Sequence, residues 1–478
     1  MMLFRKILFY LFLLLYLIIC PLLILYTLGY VYEIKGDQGL VKTGAVSIST
    51  LPEGAEVIFR DHHAAQKTPA VILNLRPGTY PVRIEKKGHV SWQNTIQVDA
   101  ERATVLEKII LLPAGLQAER MAAGPFEKII PLKDIDALLT VRGPRFSDAA
   151  VLDLEKNTET FLAAKSETAA WAEEKVDEIY TVPESTVFWL WLKHRGGGRM
   201  VRIRFRFRAP EAEDWTRLFP DKPSQLQWDP GDENKLYVLH NDGVLTVLDL
   251  EKASVRRLAG GLQGFGVYRQ KVFMVSNQGA FRADAEGHLR PLLDDPVLAA
   301  ELFREKLDFS VRAFPGGNLI FLDSKGALFS NRLPYWIARK KMQGFDYDTL
   351  HEQAAVWSGT KIGILDFSRD VFLREEAFER KLGKRWIYRE GRLISRAFWV
   401  AEGTQLVFQD GHQVFLLETA PGIEARPRLL FEADPESLLF FSESLGQLYY
   451  RDGETHALMA FRLVAKRELL GRKPESAP

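Results

Sequence analysis

Trp228-Asp229-Pro230-Gly231, running on through Leu236-Tyr237-Val238-Leu239, Asn241-Asp242-Gly243 and Val244-Leu245-Thr246-Val247, decides the fold of the larger part of the chain. It reads as an aromatic, a turn, an apolar strand, a tight hairpin and a second apolar strand. Glycine suits the hairpin because it accepts positive φ without a side-chain clash. The same order returns at Phe314-Pro315-Gly316-Gly317, Leu319-Ile320-Phe321-Leu322, Ser324-Lys325-Gly326 and Ala327-Leu328-Phe329. It returns again from Trp399 through Gln409-Asp410-Gly411 to Leu417, and from Phe441 through Leu448-Tyr449-Tyr450 to Arg451-Asp452-Gly453. Val272-Phe273-Met274-Val275 with Asn277-Gln278-Gly279 is a weaker copy, and fainter ones lie at Val151-Leu152-Asp153-Leu154 and between Phe188 and Phe207. A spacing of roughly 35–50 residues is that of a four-stranded propeller blade. Residues 118–465 are therefore expected to form a β-propeller of about seven or eight blades.

Upstream, the pattern changes twice. From Ile7 to Tyr32 no residue is charged, a length of roughly 39 Å as a helix against roughly 30 Å of hydrocarbon. Arg5 and Lys6 precede this run, and Glu33, Lys35 and Asp37 follow it. The expectation is a cytoplasmic tail at 1–6, an uncleaved transmembrane signal anchor at 7–32, and everything beyond outside the cytoplasm. A cleaved signal would be shorter and end in small residues. A lipoprotein signal would place a small residue before Cys20, where Ile19 stands. Cys20 is the only cysteine, so no internal disulfide and no cysteine metal site is expected.

Between 42 and 113 the apolar residues recur at period two, in short runs broken by turns. The runs are Ala45–Ser49, Val57–Phe59, Val71–Leu75, Pro81–Glu85, Ser91–Val98 and Thr104–Leu112. Short strands of this kind make a small sandwich. Leu51-Pro52-Glu53-Gly54-Ala55, Thr68-Pro69, Pro77-Gly78-Thr79-Tyr80 and Lys87-Gly88-His89 together resemble the PEGA domain. The resemblance departs at Asp61-His62-His63, where Asp-Gly is common, and at His89, where Tyr is common. It implies a transthyretin- or immunoglobulin-like β-sandwich of envelope proteins, with envelope or glycan interaction as its suggested role. The blades resemble those of WD40-like or periplasmic propellers. With Thr27–Tyr32 and Lys42-Thr43-Gly44, the whole chain resembles uncharacterised proteins of candidate-phyla-radiation bacteria, a resemblance that brings no activity.

The totals narrow the function classes. Lys and Arg number 63 against 62 Asp and Glu, a balance that argues against a dedicated nucleic-acid binder. No nucleophile elbow, phosphate loop, zinc helix or calcium loop is present. His62-His63 lacks an evident third ligand, so no metal and no cofactor is expected.

The sharpest chemical feature is Val201-Arg202-Ile203-Arg204-Phe205-Arg206-Phe207-Arg208. Alternation puts Arg202, Arg204, Arg206 and Arg208 on one strand face. Either they grip an anionic polymer or lipid head groups through their guanidinium forks, or they form an ordinary solvated face paired with glutamates. Trp189 and Trp191 share a face beside them and are candidates for stacking on sugars, with packing as the other reading. Trp228 and Trp399, at equivalent repeat positions, are expected in the blade core. The tail at 466–478 is expected to be disordered.

The expected protein is a non-enzymatic cell-envelope surface protein, anchored by one membrane helix, that binds wall glycan, an anionic polymer or envelope proteins. The alternative is an envelope glycan hydrolase or lyase with its site in the propeller channel; inward carboxylates there would favour it.

Overall fold

The computed structural model describes residues 2–27, 30–32, 40–59, 62–132, 136–164, 166–181, 187–194, 196–206, 209–229, 231–283, 289–293, 303, 305, 307–332, 335–368, 371–374, 377–379, 383–435 and 438–464. The fold is mainly β. Two compact units divide the chain: one takes in Met1–Leu116 and Leu417–Pro427, the other Gln117–Leu416 and Arg428–Arg462.

In the first unit, the helix Met2–Thr27 carries Pro21 inside it. Its stretch Ile7–Leu25 is long and apolar enough to cross a membrane, and none of it is buried. The helix is as long as the expected 7–32 span but begins and ends five residues before it. At its C-terminal end the chain turns to strand, with Tyr30–Tyr32 pairing antiparallel to Leu40–Lys42. Backbone pairing there replaces the expected continuation of the helix through Tyr30 and Tyr32.

The sandwich has a three-stranded and a four-stranded sheet. In the first, Gly44–Leu51 lies between Ala70–Leu75, antiparallel, and Ala103–Ile110, parallel. The second runs His62–Lys67, Glu56–Phe59, Gly78–Glu85, Trp92–Val98. Alternate residues point inward, so Val46, Ile48, Val57, Val82, Ile84, Trp92, Ile96 and Val98 meet in one core. The turn at 51–55 is latched by one threonine. Thr68 Oγ1 accepts from the Ala55 N–H at 3.0 Å and lies 2.6 Å from Thr50 Oγ1, while the Thr68 carbonyl accepts from the Gly54 N–H at 2.8 Å. Gly54 sits at φ +78°, where a side chain would be strained. Residues 417–427 belong to this unit. The Gly422 carbonyl accepts from the Gln97 N–H at 2.7 Å, Glu418 Oε1 accepts from Trp92 Nε1 at 3.0 Å, and the Glu424 carbonyl accepts from Asn94 Nδ2 at 2.8 Å.

The second unit holds eight four-stranded sheets among the described residues. Blades one to seven span 128–161, 175–214, 225–259, 262–291, 309–338, 342–388 and 394–432. The eighth joins Leu439–Ser442, Gln447–Arg451 and Leu458–Arg462 to an outermost strand, Glu119–Ala122, from the other end of the unit. Each blade packs on the next. Apolar clusters join one to two, two to three, three to four, four to five and five to six. Trp399 Nε1 donates to the Asp346 carbonyl across blades six and seven, and Phe431 stacks on Tyr450 across seven and eight. Phe126, Leu138, Leu152, Phe440 and Tyr449 bring the eighth back to the first, so the ring closes. The recurring aromatics Trp228, Phe314, Trp399 and Phe441 all fall on innermost strands.

Blade six is the one that the repeat pattern did not show. Its middle hairpin turns at Ser358-Gly359-Thr360 rather than Asp-Gly, and an extra hairpin, Val371–Arg374 with Ala377–Glu379, interrupts it before the last strand. The expected disordered tail at 466–478 lies outside the described residues, as do the side chains of His62 and His63.

Candidate binding surface on the second blade

The strand Gly197–Arg206 is third in blade two, between Val187–His194 and Ala209–Asp214. Its alternation separates two faces, as expected, but neither face of the inner part of the blade is open. Val201 and Ile203 pack with Phe188, Leu190 and Leu192 against blade one. Met200, Trp189 and Trp191 pack on the other side with Trp228 and Leu236 of blade three.

Arg202, opposite Trp189 in register, shares that covered side and is 6% exposed. Its Nη1 lies 3.6 Å from Glu213 Oε2, its cross-strand neighbour. A buried guanidinium without such a carboxylate would carry a heavy desolvation cost. Arg204 is half-buried and sits opposite Glu211. Arg206 ends the strand, with its side chain outside the description, and Arg208 lies outside the described residues. The open arginine strip is thus corrected at Arg202: a strand inside a blade has neighbours on both faces, so alternation does not mean inside and outside.

The tryptophans are corrected likewise. Trp189 is 0% exposed, its ring within 5.5 Å of those of Phe219 and Trp228. No stacking face remains for a sugar. Trp191 is 6% exposed, and its indole lies flat over Gly198, where a Cβ would overlap the ring. The glycines before the arginine strand are therefore more than a loose hairpin; Gly198 admits the tryptophan.

Trp191 borders a hollow of about 970 Å³ that the sequence did not reveal, lined also by Glu173, Glu174, Lys175, Lys193, His194 and Gly197. Its walls are tied by ion pairs. Both Glu174 oxygens accept from Arg199 Nε at 3.1 Å, Arg199 also pairs with Asp214, and its guanidinium stands 5.5 Å over the Trp171 ring. Burial lowers the pKa of Arg199, but Glu174 and then Asp214 outweigh it and raise it overall. Lys193 donates to Asp177 at 3.0 Å and Lys222 donates to the other oxygen at 2.8 Å. Lys222 first, then Lys193, hold the Asp177 carboxyl below its ordinary value. Lys175 and His194 are exposed at the rim. The hollow mixes both charge signs around an aromatic edge, a character suited to polar neutral groups more than to polyanions. Among the described residues no three His, Cys, Asp or Glu side chains gather as a metal site.

Residues 43–110 match the PEGA domain family. The match covers the strands of both sandwich sheets and the latched turn. No relative among the curated proteins matches the sequence. Solved structures with a similar fold include the β-propeller domain of Cps50 (Swd1) from Myceliophteria thermophila, 10% identical, covering 73% of this chain and 98% of that one, TM-score 0.42. YCF48 from Cyanidioschyzon merolae is 14% identical, covering 60% and 95%, TM-score 0.37. PorZ, an essential bacterial surface component of the type-IX secretion system of Porphyromonas gingivalis, is 13% identical, covering 69% and 42%, TM-score 0.38. The count of eight blades rests on the strand topology itself.

Proposed function

We propose that this is a single-pass membrane protein of the cell envelope, with its N-terminus in the cytoplasm, that binds rather than catalyses. Its ligands in this reading are wall glycan or envelope proteins, held by the PEGA sandwich and the propeller. The observation that carries it is the join of an unburied apolar helix to a PEGA domain and a closed eight-bladed ring. A PEGA domain and a propeller together fit a surface or binding protein. The hollow beside Trp191 is a propeller surface suited to a glycan, since it offers an aromatic edge with donors and acceptors around it. The likeness of the whole chain to proteins of candidate-phyla-radiation bacteria belongs to this proposal too.

Two carboxylates on the innermost strands, Asp346 and Asp229, support binding over catalysis, because they are engaged in structure. Asp346 Oδ2 accepts from the Trp399 N–H at 2.9 Å, and Asp229 accepts from the N–H groups of Gly231 at 2.8 Å and Gln270 at 2.7 Å. A general acid or base needs a carboxyl free to exchange its proton with substrate.

Cosedimentation of the full chain in detergent micelles with purified cell-wall sacculi tests the reading, at low and at high salt. The expected outcome is binding that survives salt, as for contacts made through neutral groups. Loss in high salt would shift the ligand to an anionic wall polymer, because exposed charge contacts are screened. No binding at either salt would sink the wall-binding reading.

A further inference from the structure

The innermost strands of the eight blades wall the channel at the centre of the ring. On blade five this strand is Phe309–Phe314, and its residues alternate. Phe309 and Val311 are buried in the cluster shared with blade four, whereas Ser310 and Arg312 are exposed. Arg312 has neither a hydrogen bond nor an ion pair with any described residue. Desolvation by the surrounding protein moves the Arg312 pKa down, with no carboxylate to offset it. Arg312 is thus an exposed guanidinium on an innermost strand, without a partner among the described residues.

Among the described residues, the wall beside it supplies backbone and neutral amides. Gly264 and Gly266 bring the innermost strand of blade four against blade five; a Cβ at Gly264 would overlap the Phe309 carbonyl oxygen. Gln225 of blade three donates to that carbonyl at 2.9 Å, and Gln227 donates to the carbonyls of Phe265 at 2.7 Å and Val311 at 3.4 Å. The carbonyls of Phe309 and Val311 are thus taken by neutral amides.

Blade seven repeats the arrangement. Arg396, on the innermost strand Ile394–Val400, is half-buried, and its Nη1 donates to the Leu439 carbonyl at 3.3 Å. Burial again lowers its pKa without a compensating acid. The two aspartates of the intervening innermost strand, Met342–Asp348, are committed: Asp346 to the Trp399 N–H, and Asp348 to the His351 ring at 2.5 Å and the Leu350 N–H at 3.0 Å.

We propose that Arg312, together with Arg396, makes an oxyanion-binding site in the propeller channel, taking the phosphate or carboxylate groups of an anionic ligand. The guanidinium fork matches both groups. A desolvated cation with no carboxylate of its own gains most from such a ligand. This site is separate from the hollow on blade two and does not depend on wall binding.

Isothermal titration of the full chain in detergent micelles at low ionic strength tests it, with inorganic pyrophosphate in one arm and oligoglutamate in the other. Saturable binding is expected in at least one arm, and the arm that binds more tightly identifies phosphate or carboxylate as the group. Arg312→Gln is expected to weaken that binding at least tenfold, with Arg312→Lys falling between it and the parent and Arg396→Gln weakening it to a lesser degree. Arg290→Gln, on the exposed outermost strand of blade four, is expected to leave it unchanged. Thermal unfolding of each variant shows whether the ring is intact. Should Arg312→Gln fail to fold, the lysine variant carries the test through its loss of the fork. Absence of saturable binding in both arms, or equal affinity in the folded Arg312 variants and the parent, would overturn the proposal.

Discussion

Asp177 is the residue at which charge and fold meet on blade two. It lies on the innermost strand Lys175–Thr181 and ties together two lysines from different parts of the chain, Lys193 of its own blade and Lys222 of the loop leading to blade three. Its pKa in the folded protein is depressed, first by the hydrogen bond from Lys222 and then by that from Lys193. A depressed folded pKa means stability that is present above the unfolded value, about 3.9, and lost as pH falls through the folded value. Asp177→Asn is therefore expected to destabilise the propeller at pH 7 by on the order of 0.5–1 kcal/mol, since both lysines are partly exposed. The gap between variant and parent should close as pH falls below about 4. Urea unfolding at pH 7 and at acid pH measures both; a gap that is constant with pH would mean that Asp177 acts through packing. Gly198 makes the complementary point. Its value lies in the absent side chain, which lets Trp191 lie over the strand.

Among the elements, the strand Glu119–Ala122 has the largest consequence for its size, because it completes blade eight on the outer side of Leu458–Arg462. Leu458–Arg462 is paired on both sides, with Met459 between Arg120 and Tyr450. Proline there removes a donor and forces φ in a strand with no free edge. Met459→Pro is expected to cost about 3 kcal/mol or more, while Leu289→Pro, on the exposed edge of blade four, should cost far less. Chemical unfolding of the two variants side by side decides it, and equal losses would mean that the N-terminal strand does not hold the ring closed. Elements of this kind differ in how far the sequence betrays them. Blades three, five, seven and eight announced themselves through Asn-Asp-Gly, Ser-Lys-Gly, Gln-Asp-Gly and Asp-Gly hairpins between apolar runs. Blade six did not, because its turn chemistry is weaker and an inserted hairpin stretches its period. The site follows the same rule. Alternation assigned Arg202 and Arg204 to one face, but period two cannot say what covers a face, and blade three covers that of Arg202. Arg312 was illegible for the opposite reason: an arginine alternating with Phe309 and Val311 reads as any solvent-facing residue until the ring places it in a channel. The acids of the hollow, Glu173 and Glu174, come from a loop whose approach to Trp191 no local pattern encodes.

At the scale of the whole molecule, the N-terminal helix sets where everything else works. A helix of a soluble domain buries one apolar stripe and shows a polar face. Here Phe9, Tyr10, Phe12, Tyr16 and Leu17 are all more than half exposed on a helix that is apolar all round. Nineteen residues, Ile7–Leu25, extend about 28 Å at 1.5 Å each, close to the hydrocarbon thickness of about 30 Å. A lipid bilayer covers such a surface without a polar partner. A cleaved signal would leave the membrane with its apolar run, whereas an anchor stays joined to the sandwich, and that difference is measurable. The full chain carrying an epitope at its N-terminus is expected in the membrane fraction, resistant to alkaline carbonate, with the epitope retained at full size. Lysines in place of Leu13 and Leu17 should release it, because each charge near a helix centre costs roughly 2.5–3.5 kcal/mol on insertion. Arg5 and Lys6, on the N-terminal side of the span, predict that protease added to intact cells digests the PEGA and propeller units and spares the epitope. A mature protein lacking the epitope would make the helix a signal sequence. Protection of the propeller with loss of the epitope would reverse the orientation and move the channel arginines and the blade-two hollow to cytoplasmic ligands.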